Sequence, residues 1–256
     1  MEQRVLLAFA LVAVLGIGCV TTELNKPPPV VTLAESKRDL GIDHLRRGRT
    51  GMAIRELSES KKLDPEDHET QLWLGEAYRR KGRLDDAERY LLRALELASG
   101  SHATLVTLSA LYIQMGRYEE SIRHTETLFQ DPTFSTPWRA LVNRGWAQYK
   151  LGRDREARAS LLEALDFHPT YWPAHLDLGI LESEQGHKLE AIDRFQQVLK
   201  KKPGAAAEAE ANYRIGEVLV SLGRGDKAIQ HFTRAVEKAP YAPWGKQSKE
   251  YLKLLQ

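Results

Sequence analysis

Leu74-Gly75-Glu76-Ala77-Tyr78-Arg79-Arg80-Lys81-Gly82-Arg83-Leu84-Asp85-Asp86-Ala87, residues 74–87, carries the pattern that decides the fold. A small residue follows an apolar one at Gly75, a Gly-Arg pair comes at Gly82-Arg83, and a second small residue comes at Ala87. The order returns about every 34 residues. It stands at Leu40-Gly41, Ala53 and Pro65, then at Leu178-Gly179, Ala191, Phe195 and Pro203, and again at Ile215-Gly216, Ala228, Phe232, Ala235 and Pro240. A fixed period of this size means stacked supersecondary units, each unable to bury its apolar face alone.

Six units can be laid out over residues 34–242, starting near Ala34, His68, His102, Trp138, Trp172 and Ala209. Each is expected to be two antiparallel helices, A and B. Gly48, Gly82, Gly116, Gly152, Gly186 and Gly223 end the A helices, because glycine accepts the left-handed conformation that closes a helix. Small residues on helix A (Gly41, Gly75, Ser109, Gly145, Gly179, Gly216) face small residues on helix B (Ala53, Ala87, Ser121, Ala157, Ala191, Ala228), so the two helices can approach closely. Leu57, Leu91, Leu161, Phe195 and Phe232 fill the layer beyond. Pro65, Pro169, Pro203 and Pro240 stop the B helices. The third unit departs most, with Ser109, Ser121 and Thr125. The phase slips around Asp131–Pro137 and around Gly204–Glu208, where loops are expected. The last stretch, 243–256, is expected to be a helix that covers the open end of the stack.

The amino terminus follows a different logic. Arg4 precedes an apolar run from Val5 to Gly18, short for a bilayer span and suited to a signal peptide over residues 1–18. The single cysteine, Cys19, comes directly after it. Leu15-Gly16-Ile17-Gly18-Cys19 resembles a bacterial lipobox, with Leu15 one step early and Gly16 in its usual place. The resemblance implies that the Cys19 sulfur is acylated and its amino group becomes the mature terminus; an incidental cysteine in a signal peptide is the alternative. Two or more acyl chains hold a protein far better than one, at about 0.8 kcal/mol per buried CH₂. Val20 in place of Asp implies the outer rather than the inner membrane. Residues 19–33, with Lys26-Pro27-Pro28-Pro29, read as a proline-rich tether.

Composition excludes several classes of function. Lys+Arg 37 against Asp+Glu 35 gives +2, with no basic face for nucleic acid. The eight histidines are scattered and form no zinc motif, and one cysteine cannot build a thiolate site. Gly223-Arg224-Gly225 belongs to a helix turn and not to a phosphate loop. Asp85-Asp86 and Glu119-Glu120 begin second helices, where negative charge suits the helix dipole. The expectation is a non-enzyme, with no cofactor, metal or small-molecule substrate.

Across Ala34 to Pro240 the chain resembles the tetratricopeptide repeat (TPR) family. This implies an all-α solenoid of six helix-turn-helix repeats in a right-handed superhelix, with A helices lining the hollow side. The fifth position of successive units gives Arg38, Leu72, Val106, Val142, Leu176 and Tyr213. The ninth gives Ile42, Glu76, Ala110, Trp146, Ile180 and Glu217, and the twelfth gives Leu45, Arg79, Ile113, Tyr149, Ser183 and Val220. The candidate partner-binding groove is therefore Leu72, Val106, Ala110, Ile113, Val142, Trp146, Tyr149, Leu176, Ile180 and Tyr213. Either these side chains form an apolar channel for a peptide, or a tight superhelix packs them against neighbouring repeats.

Lipobox, tether and six repeats together resemble the outer-membrane pilotin family of type IV pili, the PilF/PilW/Tgl group. The local likeness lies in Leu40-Gly41 through His44-Leu45-Arg46-Arg47-Gly48-Arg49-Thr50 to Ala53, in Tyr118-Glu119-Glu120, and in the Asp131–Pro137 joint before Asn143-Arg144-Gly145. That family implies binding to the secretin subunit, promotion of its multimer assembly, and support of pilus biogenesis and pilus-dependent motility. It also implies a lipid-anchored protein of the outer membrane facing the periplasm. The alternatives are a generic periplasmic TPR lipoprotein scaffold for another envelope complex, or a soluble regulatory TPR domain with an uncleaved leader.

Overall fold

The computed structural model describes residues 32–255. Thirteen α-helices and no strand form among the described residues. They are α1 (Leu33–Arg46), α2 (Thr50–Leu63), α3 (His68–Arg80), α4 (Leu84–Leu97), α5 (His102–Gln114), α6 (Tyr118–Phe129), α7 (Pro137–Lys150), α8 (Asp154–Phe167), α9 (Trp172–Glu184), α10 (Lys188–Lys201), α11 (Ala205–Ser221), α12 (Gly225–Lys238) and α13 (Pro243–Leu255). Odd helices α1 to α11 are the A helices and even helices are the B helices. Each A helix packs on its own B helix and also on the A helices of adjacent units, as α3 on α5 and α7 on α9. The fold is a solenoid of six helix pairs closed by a thirteenth helix, the class expected from the period.

Two neighbours on opposite sides explain why the A helices are apolar around most of their circumference. The central α9 buries Ala174, His175, Leu176, Leu178, Gly179, Ile180, Leu181 and Glu182. The outer α12 buries only Ala228, Phe232 and Ala235. The turns between the two helices repeat one hydrogen-bonded form. Gly82 stands at φ 77, Arg83 N donates to Tyr78 O at 3.0 Å, and Gly82 N donates to Arg79 O at 3.0 Å. This pair of bonds satisfies carbonyls that the end of α3 would leave open. At the other end of α3, Asp67 accepts from the backbone N–H of Glu69 and of Thr70.

The joint before α7 is a loop, pinned by Asp131. Its carboxylate accepts from Thr133 N at 2.8 Å and lies 2.7 Å from His102 Nε2. The Thr133 hydroxyl, helped by His102, holds this exposed carboxyl down at about 2. The second phase slip is resolved differently from expectation. Instead of a loop over Gly204–Glu208, the chain is helical from Ala205. Ala205-Ala206-Ala207-Glu208-Ala209 is a run of strong helix formers, so the extra residues lengthen α11 backwards. The turn shrinks to Lys202–Gly204, with Lys202 in the left-handed region at φ 47 and Gly204 at φ 117. Glu208 then reaches Lys238 on α12 at 2.5 Å.

At the far end, α13 lies across α11 and α12. Tyr251 stacks on Phe232 with ring centroids 4.6 Å apart, and Trp244 meets Tyr213 at 5.1 Å. Gly245 lets the two segments touch: a β-carbon there would lie 2.0 Å from Ala239 O.

Candidate protein-binding groove

The A helices of the second to fifth units, α3, α5, α7 and α9, present one continuous hollow. A cavity of about 310 Å³ is bordered by Leu72, Trp73, Glu76, Arg79, Val106, Thr107, Ala110 and Arg139 among others. A second, of about 210 Å³, is bordered by Arg79, Ala110, Ile113, Gln114, Val142, Asn143, Trp146 and Asp177. Arg79, Ala110 and Asn143 border both, so the two run into each other.

Counted from each unit's start, most of the residues that line the groove follow a 4-3-4 spacing, with Arg79 and Ile113, both twelfth positions, beside them. Ala103 and Arg139 are second positions. Trp73, Thr107, Asn143 and Asp177 are sixth positions. Glu76, Ala110 and Trp146 are ninth positions, and Arg80 and Gln114 are thirteenth positions. Such spacing marks one stripe of an α-helix. The fifth positions sit off this stripe and turn toward the neighbouring repeat. Leu72, Val106, Val142, Leu176 and Tyr213 keep only 6–8 % of their surface exposed. Leu72 and Val106 border the larger cavity and Val142 the smaller, but most of each side chain is packing.

The expected groove residues therefore divide. Ala110, Ile113 and Trp146 are half-buried and border the hollow, whereas Tyr149, also half-buried, packs against the core beside Trp146 and borders neither cavity. Leu176, Ile180 and Tyr213 join the core between α9, α11 and α12. Tyr213 is enclosed by Phe232, Trp244 and Tyr251, and its hydroxyl donates to Glu217 at 2.7 Å. It belongs to the packing under α13 and not to an open channel. Cys19, the signal segment and the tether up to residue 31 lie outside the described residues.

The groove is also more polar than an apolar strip. Glu76 holds Arg79 Nε at 2.8 Å and Arg80 Nε at 2.6 Å. Burial pushes its carboxyl up, but the two guanidinium groups more than offset this and leave it below the ordinary value. Asn143 donates from Nδ2 to Ser109 Oγ at 2.7 Å and to Val106 O at 3.2 Å, tying α7 to α5. Asp177 is raised well above the ordinary carboxyl value, first by burial and then by nearby Glu210, with Lys150 opposing. Glu210 is raised by burial, with Arg214 and Trp244 opposing. Trp146 and Tyr149 lie 5.1 Å apart, and the Lys150 ammonium stands 4.6 Å and 4.7 Å from their ring centres. Tyr149 donates to Glu184 at 2.5 Å. The sixth positions were missed from sequence. Their one signal is polarity, since Thr107, Asn143 and Asp177 interrupt otherwise apolar A helices.

This arrangement of apolar floor, fixed guanidinium groups and one unmatched carboxylate, Asp177, suits the side chains of another polypeptide. Among the described residues no group of His, Cys, Asp and Glu is placed to hold a metal ion.

Comparison with known proteins agrees with the fold. A tetratricopeptide repeat model matches residues 38–102, 107–171 and 176–243, which together make up most of the chain. Among solved structures, PilW, described as a widely conserved type IV pilus biogenesis factor, superposes with a TM-score of 0.70 at 21% identity. The match covers 84% of this chain and 98% of PilW. PilF of Pseudomonas aeruginosa gives 0.65 at 16% identity, over 85% of this chain and 97% of that one. A chain of the APC/C heterotetramer Cut9–Hcn1 gives 0.75 at 18% identity, over 87% of this chain and 42% of that one. Among curated proteins the comparison finds no match.

Proposed function

This chain belongs to the tetratricopeptide repeat family, and on that premise we propose that it is an outer-membrane lipoprotein that grips the secretin subunit of a type IV pilus and promotes its multimer assembly. The observation that carries the reading is the union, in one chain, of Leu15-Gly16-Ile17-Gly18-Cys19 with a hollow face that leaves Ala110, Ile113 and Trp146 accessible. Acylated Cys19 supplies location, and the hollow supplies the grip. Burying a few such side chains at about 1.5–3 kcal/mol each supports micromolar binding after the costs of association. The likeness of fold to PilW and PilF over nearly their whole lengths supports the same reading.

The test is genetic. A deletion strain is complemented with the wild-type chain or with Cys19→Ala, and secretin monomers and multimers are separated by immunoblot. The Cys19→Ala protein should leave the outer-membrane fraction and yield fewer multimers. Normal multimers and pili in the deletion strain would sink the proposal. A scaffold for another envelope complex is the second reading, since the same fold also occurs in a chain of the APC/C heterotetramer Cut9–Hcn1. A crosslinked pull-down from membranes, read by whether secretin is recovered, separates the two.

A further inference from the structure

We propose that the Asp177 end of the groove is an anionic subsite for a lysine or arginine side chain of the bound polypeptide, whose aliphatic stem lies on Trp146 and Tyr149. This rests on the groove reading above and specifies what kind of segment the groove selects. Asp177 borders the smaller cavity beside Ala110, Ile113, Val142 and Trp146. Its carboxylate makes no hydrogen bond or ion pair among the described residues. Arg79, on the facing wall, is held by Glu76 and does not neutralise it. Glu210, itself paired with Arg214 at 3.8 Å, adds a second carboxyl nearby and further opposes the ionisation of Asp177.

A half-buried carboxylate with no counter-charge in contact weakens the fold, and an apolar or acidic occupant would bury it further. A cationic side chain removes the cost. The chain itself shows that an ammonium fits over the Trp146 and Tyr149 rings. Lys150 sets its ammonium over both rings from an exposed, flexible stem, and it is the cation that offsets Asp177 from a distance. Such a lysine can swing into solvent when a partner's cation arrives. The charged groups around the subsite are Asp177, Glu210, Lys150 and Arg214 on its own side, and Arg79 with Glu76 across the hollow.

The experiment uses the purified full chain in detergent and a phage-displayed library of random 12-residue peptides. Apolar peptides bearing Lys or Arg should be selected. Replacing that residue by norleucine in a synthetic copy should weaken binding about tenfold to wild type, and hardly at all to Asp177→Asn. Asp177→Glu should restore most of the difference, and circular dichroism checks that each variant is folded. If peptides bind in a Trp146-dependent way but show no preference for Lys or Arg, or the Asn variant discriminates as wild type does, this inference is overturned and the groove stands. If no peptide binds, or binding ignores Trp146→Ala, the groove reading falls and the subsite falls with it.

Discussion

Gly75 makes the room that Leu91 occupies: a β-carbon at position 75 would lie 2.5 Å from Leu91 Cγ and 3.2 Å from Ala87 O. The same relation holds between Gly216 and Phe232, at 2.6 Å. Gly75→Ala should therefore destabilise the protein by about 1–3 kcal/mol through overpacking. Gly51→Ala, on open surface in α2, is the control and should be neutral or slightly stabilising. Urea titration of both variants checks the contrast.

The third repeat solves the same packing problem with different volumes. Ser109 replaces the glycine, Thr125 replaces the large residue, and both are fully buried. The Ser109 hydroxyl donates to Val106 O and accepts from Asn143. Asn143→Ala removes two bonds that link α5 to α7 and should cost about 1–2 kcal/mol. A lower urea midpoint with an unchanged slope is the expected result.

Asp177→Asn should raise the melting temperature at pH 7. The folded-state carboxyl titrates above its unfolded value, so the folded chain binds the proton more tightly. Its contribution favours folding below the unfolded carboxyl range, near about pH 3.9, and is lost as pH rises through the folded value. The gain from the Asn variant should vanish in acid and grow toward neutrality. A melting series across pH reads the sign directly, and an equal difference at every pH would contradict it.

Trp146→Ala and Tyr149→Ala should lower secretin binding by on the order of tenfold or more each, with helical content unchanged. Trp146 borders the smaller cavity and Tyr149 lies 5.1 Å from it, and both also pack against the core of α9, α11 and α12, so a urea titration of each variant accompanies the binding assay. Full binding by the folded double variant would move the contact to a loop or the convex side.

The repeat register, the turn glycines and the small-against-large pairs were legible in the chain because they are local: Gly82, Ala87 and Leu91 declare their roles within two turns of helix. Which A-helix positions stay open was not legible, because it depends on how successive repeats lean on each other. The fifth position looked like groove and is mostly interface between units, as Leu72 and Val142 show. The sixth looked like nothing, yet it brings Trp73, Asn143 and Asp177 to the hollow. Tyr213 misled for a different reason, since only the fold places α13 on top of it. Ala205–Ala207 misled because an insertion between repeats can lengthen a helix as readily as a loop.

The contact of Tyr251 with Phe232 has one more consequence. A stack of like units ends in a face that fits the beginning of another stack, and so invites growth into fibres. With Trp244 and Tyr251 seated on that face, the array has a fixed number of rungs and a finished edge. Removing residues 243–256 should turn a single species in sedimentation into a ladder of longer ones.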